Sequence, residues 1–405
     1  MEVPQGRRNR LVSLRFIISS FVVLIVAGDS PGQASPYKLA FSTISPLSFA
    51  GGSFKSTSTK NFPISRHLAS ALTTLNVSGL REPHWHNPAE WAIVLEGKCR
   101  ATSLEQGKTR PSDTFDYETG DVWYFGPNIG HAILGLEPSG CTYLTVYDNG
   151  TFDEYSSSFD LSTWISRLPR PILSQHLNTS TALLSSNLGI LSPASSQNGT
   201  LRTTDVNQFI VQGPLSILDY SPPALPVQIA KELHRFPLKS SSLPQVDVAG
   251  GGTVTYVDDT LFPIAKNIWG GILHLAPNAL RVSHWHLNAD EYQFVANGSN
   301  IEIGNFLQDG TLAVNTYQSG DVGLSPQGAA HYLKNNGNTP ADVLVIFNAD
   351  VNTGIDLSWT LGSFPNSWIA ATLNTTTNFT SGLAKKYKML TSNIMPASLA
   401  VPSSQ

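Results

Sequence analysis

Apolar positions in this chain fall in short runs rich in valine, isoleucine, threonine and aromatics, each closed by glycine, proline, asparagine or aspartate. EWAIVLEGKCRATSLE (90–105) and EYQFVANGSNIEIGNF (291–306) each predict a strand, a glycine-containing turn and a second strand. GDVWYFGP (120–127) and GDVGLSP (320–326) predict strands entered through a Gly-Asp turn, and TYLTVYDNG and ADVLVIFNAD predict the strands that close each unit. With 32 Gly and 26 Pro spread among them, these segments predict an all-β chain with only short helices.

The pattern occurs twice. At an offset of 200 residues, FPI at 62–64 meets FPI at 262–264, Arg81 meets Arg281, HWH at 84–86 meets HWH at 284–286, and His131 meets His331. The match shifts by one at the glutamates, Glu90 and Glu291, because the second copy carries an extra residue there. The repeat implies two copies of one domain, each large enough for its own core. Each is expected to be a jelly-roll β-barrel. The expected order is a leader at 1–28, a first barrel at 37–175, a linker or interdomain segment at 176–232, a second barrel at 233–389 and a flexible tail at 390–405.

Charge and composition narrow the partners. The 25 Lys+Arg against 29 Asp+Glu give a net charge of −4, with no basic stripe, which argues against nucleic acid. Arg7, Arg8, Arg10 and Arg15 precede the apolar run Phe16–Ala27 and small residues near Gly28, as in a cleaved secretory signal peptide. That run is shorter than the roughly 20 residues a membrane helix needs. Seven N-x-S/T sequons, at Asn76, Asn149, Asn178, Asn198, Asn297, Asn374 and Asn378, fit a secreted glycoprotein, extracellular or in the cell wall, with no membrane association after cleavage. Cys99 and Cys141 cannot form a disulfide framework, and the sequence leaves open whether they pair.

The repeated histidines carry the chemistry. In a strand, residues i and i+2 share a face, so His84 and His86 project together, as do His284 and His286. Glu90 with His131, and Glu291 with His331, can complete two sets of three imidazoles and one carboxylate, suited to a divalent Mn, Fe, Co, Ni or Zn ion with positions left for ligand. A lone H-x-H is common, but here the full set recurs in register.

These residues resemble the cupin signatures, H-x-H-x(3,4)-E-x(6)-G followed by G-x(5)-P-x-G-x(2)-H-x(3)-N. The second copy fits throughout; the first departs at Gly126, Asn128 and Gly135. The two-cupin arrangement with LREPHWHNPAEWA resembles the bicupin oxalate decarboxylases of fungi and bacteria. That resemblance implies Mn(II), two per chain, and conversion of oxalate to formate and CO2 with dioxygen as a co-catalyst that is not consumed. It places Arg81, and Arg281 in the second copy, beside the metal to bind the substrate carboxylate. It assigns the proton shuttle to Glu154 in the lid DNGTFDEYSSSFDLSTW, one residue longer than usual, with Asp153 as the neighbouring candidate. The second copy has no glutamate in its matching segment and carries Val345 where many relatives have a carboxylate, so catalysis is expected at the first metal. An oxalate oxidase making H2O2 and CO2 is the alternative, a non-enzymatic storage or sugar-binding cupin a more distant one, and a homo-oligomer, trimer or hexamer, is the expected assembly.

Overall fold

The computed structural model describes residues 35–104, 112–188, 209–220, 234–238, 246–248, 251–351, 353–383, 385 and 390–391. The leader at 1–28 and the sequon at Asn198 lie outside these. No helix among the described residues is long and apolar enough to cross a membrane.

Both copies are antiparallel jelly-roll barrels. In the first, Gly52–Thr57 lies beside Ala69–Leu75, then Cys141–Tyr147, then Glu90–Leu104. Where the sequence predicts two strands, Glu90–Leu104 is one strand of 15 residues. Its first half pairs with Cys141–Tyr147 and Asp121–Phe125, and its second half with Ser112–Glu118 and Gly130–Gly135. It thus passes from one sheet to the other, bending at Gly97, whose φ of 77° favours glycine. An added Cβ there would also lie 2.1 Å from the Gly140 carbonyl. The second copy breaks the same path into Glu291–Asn297 and Ile301–Phe306. Cys99 and Cys141 pair across this bend as a disulfide.

The continuous apolar runs have a packing reason: both faces of those strands are buried. Ala92 and Val94 point into the first barrel, while Trp91 and Ile93 point into a core shared with Tyr292, Phe294, Leu344 and Ile346 of the second. The contacts across this core are reciprocal. Trp91 packs over Gly270, where an added Cβ would lie 2.7 Å from the indole, and the Tyr292 hydroxyl meets the hydroxyl of Ser70, the residue matching Gly270, at 2.5 Å. Because Trp91 is fully buried and cannot swing aside, Gly270→Ala is expected to cost about 1–3 kcal/mol by overpacking. A thermal melt would show this as a lowered midpoint, and an unchanged midpoint would contradict the packing argument.

The barrels also exchange strands across the expected boundaries. Lys38–Ala40, expected in the first barrel, pairs with Asp321–Gly323 of the second, and Arg235–Pro237, expected in the second, pairs with Asp121–Trp123 of the first. The aspartates of the two GDV turns hold these strands. Asp121 accepts from the Glu118 backbone N–H and from Arg235, and Asp321 from the Gln318 N–H and Lys38. The linker is likewise structured where described, since Ile210–Gln212 pairs with Gly79–Arg81. At the expected tail, Leu390–Thr391 takes the matching place beside Leu280 and Arg281. In both cases a returning segment satisfies the backbone edge of the strand that carries the arginine.

Candidate metal centres and the lid

His84 lies on Gly79–Trp85 directly opposite His131 on Gly130–Gly135, with ring centroids 4.1 Å apart. His86 follows the same strand, and Glu90 opens the next. The second barrel repeats this, His284 facing His331. In each barrel the four candidate ligand atoms lie within 4.8 Å of one another, and all eight residues are buried.

The hydrogen bonds select the form of each ring. Nδ1 of His84, His86 and His131 lies 2.8–2.9 Å from the carbonyls of Glu82, Pro88 and Ile129. A carbonyl only accepts, so Nδ1 carries the proton and Nε2 turns its lone pair inward. Nε2 of His86 lies 3.1 Å and that of His131 3.3 Å from Glu90 Oε2, so acceptors face an acceptor. Nε2 of His84, His131 and His284 is buried without a hydrogen-bond partner. Such an arrangement fits a cation at the centre of each set. His284 and His331 also donate through Nδ1 to carbonyls, and Glu291 Oε2 lies 2.8, 3.0 and 3.6 Å from Nε2 of His286, His331 and His284.

Burial, then the neighbouring arginine and histidines, holds the His84 and His284 imidazoles well below the usual histidine range. Burial also lowers His286. Burial alone would raise the Glu90 and Glu291 carboxyls, but the positive charge that His131 and His331 carry when protonated more than offsets it and holds both well below the carboxylate range. For these three histidines, folded and unfolded chains are both neutral above the ordinary histidine value. Below it, the unfolded chain takes up protons that the folded chain refuses. The metal-free protein is therefore expected to lose stability as pH falls below about 6.5, on the order of 1 kcal/mol per pH unit. Melts of chelator-treated protein between pH 7 and 5 would show it, and a flat profile would contradict it.

Each glutamate is oriented by a different donor. The Trp123 indole N–H donates to Glu90 Oε1 at 2.7 Å. Gly323 stands in the matching place, and Gln293, matching Ala92, fills the space and donates to Glu291 Oε1 at 3.2 Å and Ser325 Oγ at 2.9 Å. The free oxygen, Oε2, is left for the centre in both barrels.

Among the described residues, only the first barrel has an acid over its centre. Glu154 begins the short helix Glu154–Ser157, is buried, and places Oε1 3.8 Å from His84 Nε2. Oε1 accepts from Arg81 Nε at 2.8 Å and Oε2 from the Tyr147 hydroxyl at 2.5 Å. Asp153 points the other way, to Lys60 at the surface. Arg81 is fully buried. Its Nη1 donates to Asp160 at 3.0 Å and to the Phe209 carbonyl at 3.4 Å, and its guanidinium lies 3.8 Å from the Phe209 ring centre. Burial would lower its pKa, but Glu154 and Asp160 together raise it, so the charge is fixed. Nη2 is buried and has no partner. Tyr147, Asp160, Phe209 and Trp123 escape the sequence reading. Tyr147 carries a signal, since the second copy has Phe347 in its place.

Comparison with known proteins agrees with this geometry. The cupin family pattern matches residues 41–182 and 241–381. The oxalate decarboxylase OxdC of Bacillus subtilis is 31% identical over 90% of this chain and 89% of its own. The chain belongs to the bicupin oxalate decarboxylases. A probable oxalate decarboxylase of Arthroderma benhamiae is 26% identical to this bicupin, over 85% of the chain and 80% of its own. A solved structure of the Bacillus subtilis enzyme, described for its Mn(II) centres, superposes with a TM-score of 0.75 at 29% identity, over 89% of this chain and 90% of that one. In this bicupin the candidate ligand sets of both barrels are complete, whereas among the described residues the buried acid and its hydroxyl partner are found in the first.

Proposed function

We propose that this bicupin converts oxalate to formate and CO2 at the first centre, in a manganese-dependent reaction. The observation that carries this reading is the buried Arg81–Glu154 pair beside His84, within a family named for oxalate decarboxylation. His84, His86, Glu90 and His131 would hold the ion, and His284, His286, Glu291 and His331 a second one with a structural or minor role. The bound Mn(II) would supply a Lewis-acidic, redox-capable anchor for one carboxylate, with dioxygen as a co-catalyst that is not consumed.

The chain's own groups do the rest. Arg81, held by Asp160 and Phe209, offers Nη2 to a substrate carboxylate and keeps its charge in the buried site. Glu154 takes the carboxyl proton of hydrogen oxalate. When the C–C bond breaks and CO2 leaves, it returns that proton to the remaining carbon, giving formate. The closed lid excludes water that would otherwise divert the carbon intermediate.

Export of the protein is part of this proposal. Its support is the basic and apolar leader, the Cys99–Cys141 disulfide, and the exposure of the six sequons among the described residues. A homo-oligomer is likewise proposed. The helices after each barrel leave Trp164, Ile172 and Leu183, and Trp359, Trp368 and Phe379, about half or more exposed, apolar area suited to burial against other copies.

The test is a product assay on oxalate that measures formate and peroxide together, with metal analysis of manganese-supplemented protein. Formate equal to oxalate consumed, and close to two ions per chain, is the expected result. Peroxide without formate would replace the reading with oxalate oxidation, and folded protein without metal would end it.

A further inference from the structure

We propose that Tyr147 is the latch that holds the catalytic lid closed, a positioning role that rests on the reaction proposed above. The Glu154 carboxylate is held at both oxygens, by Arg81 on Oε1 and by the Tyr147 hydroxyl on Oε2. Arg81 also offers Nη2 to the substrate, so its guanidinium is shared between Glu154, Asp160 and a substrate carboxylate. The hydroxyl does not have that second duty. It is the donor that keeps the acid in place while Arg81 is engaged.

The tyrosine is itself fixed. It is buried, sits beside Ala69 and Glu90 in the sheet, and packs against Phe152 with ring centroids 4.7 Å apart and against His86 at 5.3 Å. Its hydroxyl therefore stands on a rigid strand and meets a carboxylate on a short loop helix. A latch needs that combination of a fixed part and a moving part.

The second barrel supplies an independent comparison within the same chain. Phe347 occupies the matching place and packs against His286 with centroids 4.7 Å apart, so the ring is retained and only the hydroxyl is missing. The lid glutamate is missing with it. The difference extends down the paired strands. Thr73, Tyr143 and Thr145 line the first barrel where Leu273, Val343 and Val345 line the second, all buried. Thr145 Oγ1 is buried without a partner and Thr73 stands beside Tyr143 as a hydrogen-bond partner, which marks this wall as built for polar contacts rather than for packing alone. The Tyr147 hydroxyl belongs to that lining and is its end nearest the lid.

The experiment is Tyr147→Phe in the full chain, which keeps the ring and deletes the donor. Loss of a hydrogen bond to a charged group is expected to slow formate turnover about tenfold, with KM within about twofold. Peroxide should take a larger share of product, and amides of 153–158 should exchange with solvent about tenfold faster by mass spectrometry. Phe347→Tyr should change neither readout, because the second copy has no lid glutamate matching Glu154. In a Glu154→Ala background, Tyr147→Phe should add nothing further to lid exchange, whereas an equal increment there would assign the effect to ring packing and overturn the latch. Wild-type turnover and wild-type lid exchange in Tyr147→Phe would overturn it as well. If the parent protein makes no formate, the functional reading fails, and the exchange measurements still decide whether the hydroxyl holds the lid.

Discussion

Glu154→Gln is expected to lower formate production by about 10²–10⁴-fold while leaving the fold and both metal centres intact. Glutamine keeps the length; its oxygen can still accept from Arg81 while its amide N–H donates to the Tyr147 hydroxyl oxygen, so the lid retains its contacts. What it loses is the capacity to take a proton from one carboxyl and deliver it to carbon. Peroxide formation is expected to persist or grow, because the carbon intermediate then lacks its acid. Asp153→Asn is the control. Its carboxylate pairs with exposed Lys60, an interaction worth about 1 kcal/mol or less, so formate production should stay near wild type. Formate at the parent rate from Glu154→Gln would remove the lid acid from the mechanism, and loss only in Asp153→Asn would move the role by one residue.

The metal sets were legible in the sequence because their geometry is nearly local. Two strand residues at i and i+2 share a face whatever the rest of the fold does, and a glutamate four or five positions on begins the adjoining strand. His131 and His331 follow by register, each opposite the first histidine of its set. The repeat made both sets visible at once. Strand exchange was not legible, since Lys38–Ala40 and Arg235–Pro237 are short, and their places depend on aspartates and apolar neighbours far along the chain. The support of Arg81 was hidden for the same reason. Asp160 and Phe209 lie 79 and 128 residues away from it, and Phe209 reaches the site only because the linker returns as a strand.

The repeat also shows which features each barrel needs. Both keep the four ligands, the arginine and a donor to the glutamate, although the donor changes from an indole to an amide and the space is exchanged between Ala92 with Trp123 and Gln293 with Gly323. A ligand set held through such a change is under a geometric constraint that packing alone does not impose. The acid, the tyrosine and the polar wall beneath it are not held in common. That asymmetry is what the proposed assignment of the reaction to the first barrel rests on.

Arg81→Lys tests this asymmetry most directly. Arg81 satisfies Glu154 through Nε and Asp160 through Nη1 at the same time, and its plane lies against the Phe209 ring. A lysine ammonium keeps the charge but is a single point on a flexible stem, so it cannot hold both carboxylates in this geometry and still offer a donor to substrate. One buried carboxylate is left poorly paired, at a cost of about 3–5 kcal/mol, so the thermal midpoint should fall together with the activity. Turnover measured well below that midpoint is expected to drop by about 10²–10³-fold, the scale of losing one oriented charged donor. Arg281→Lys should cost far less turnover, because no lid glutamate stands over the second centre. Equal loss at Arg81 and Arg281, with both variants folded and metal-loaded, would mean that both barrels turn over oxalate, and the lid of the first would then need another explanation.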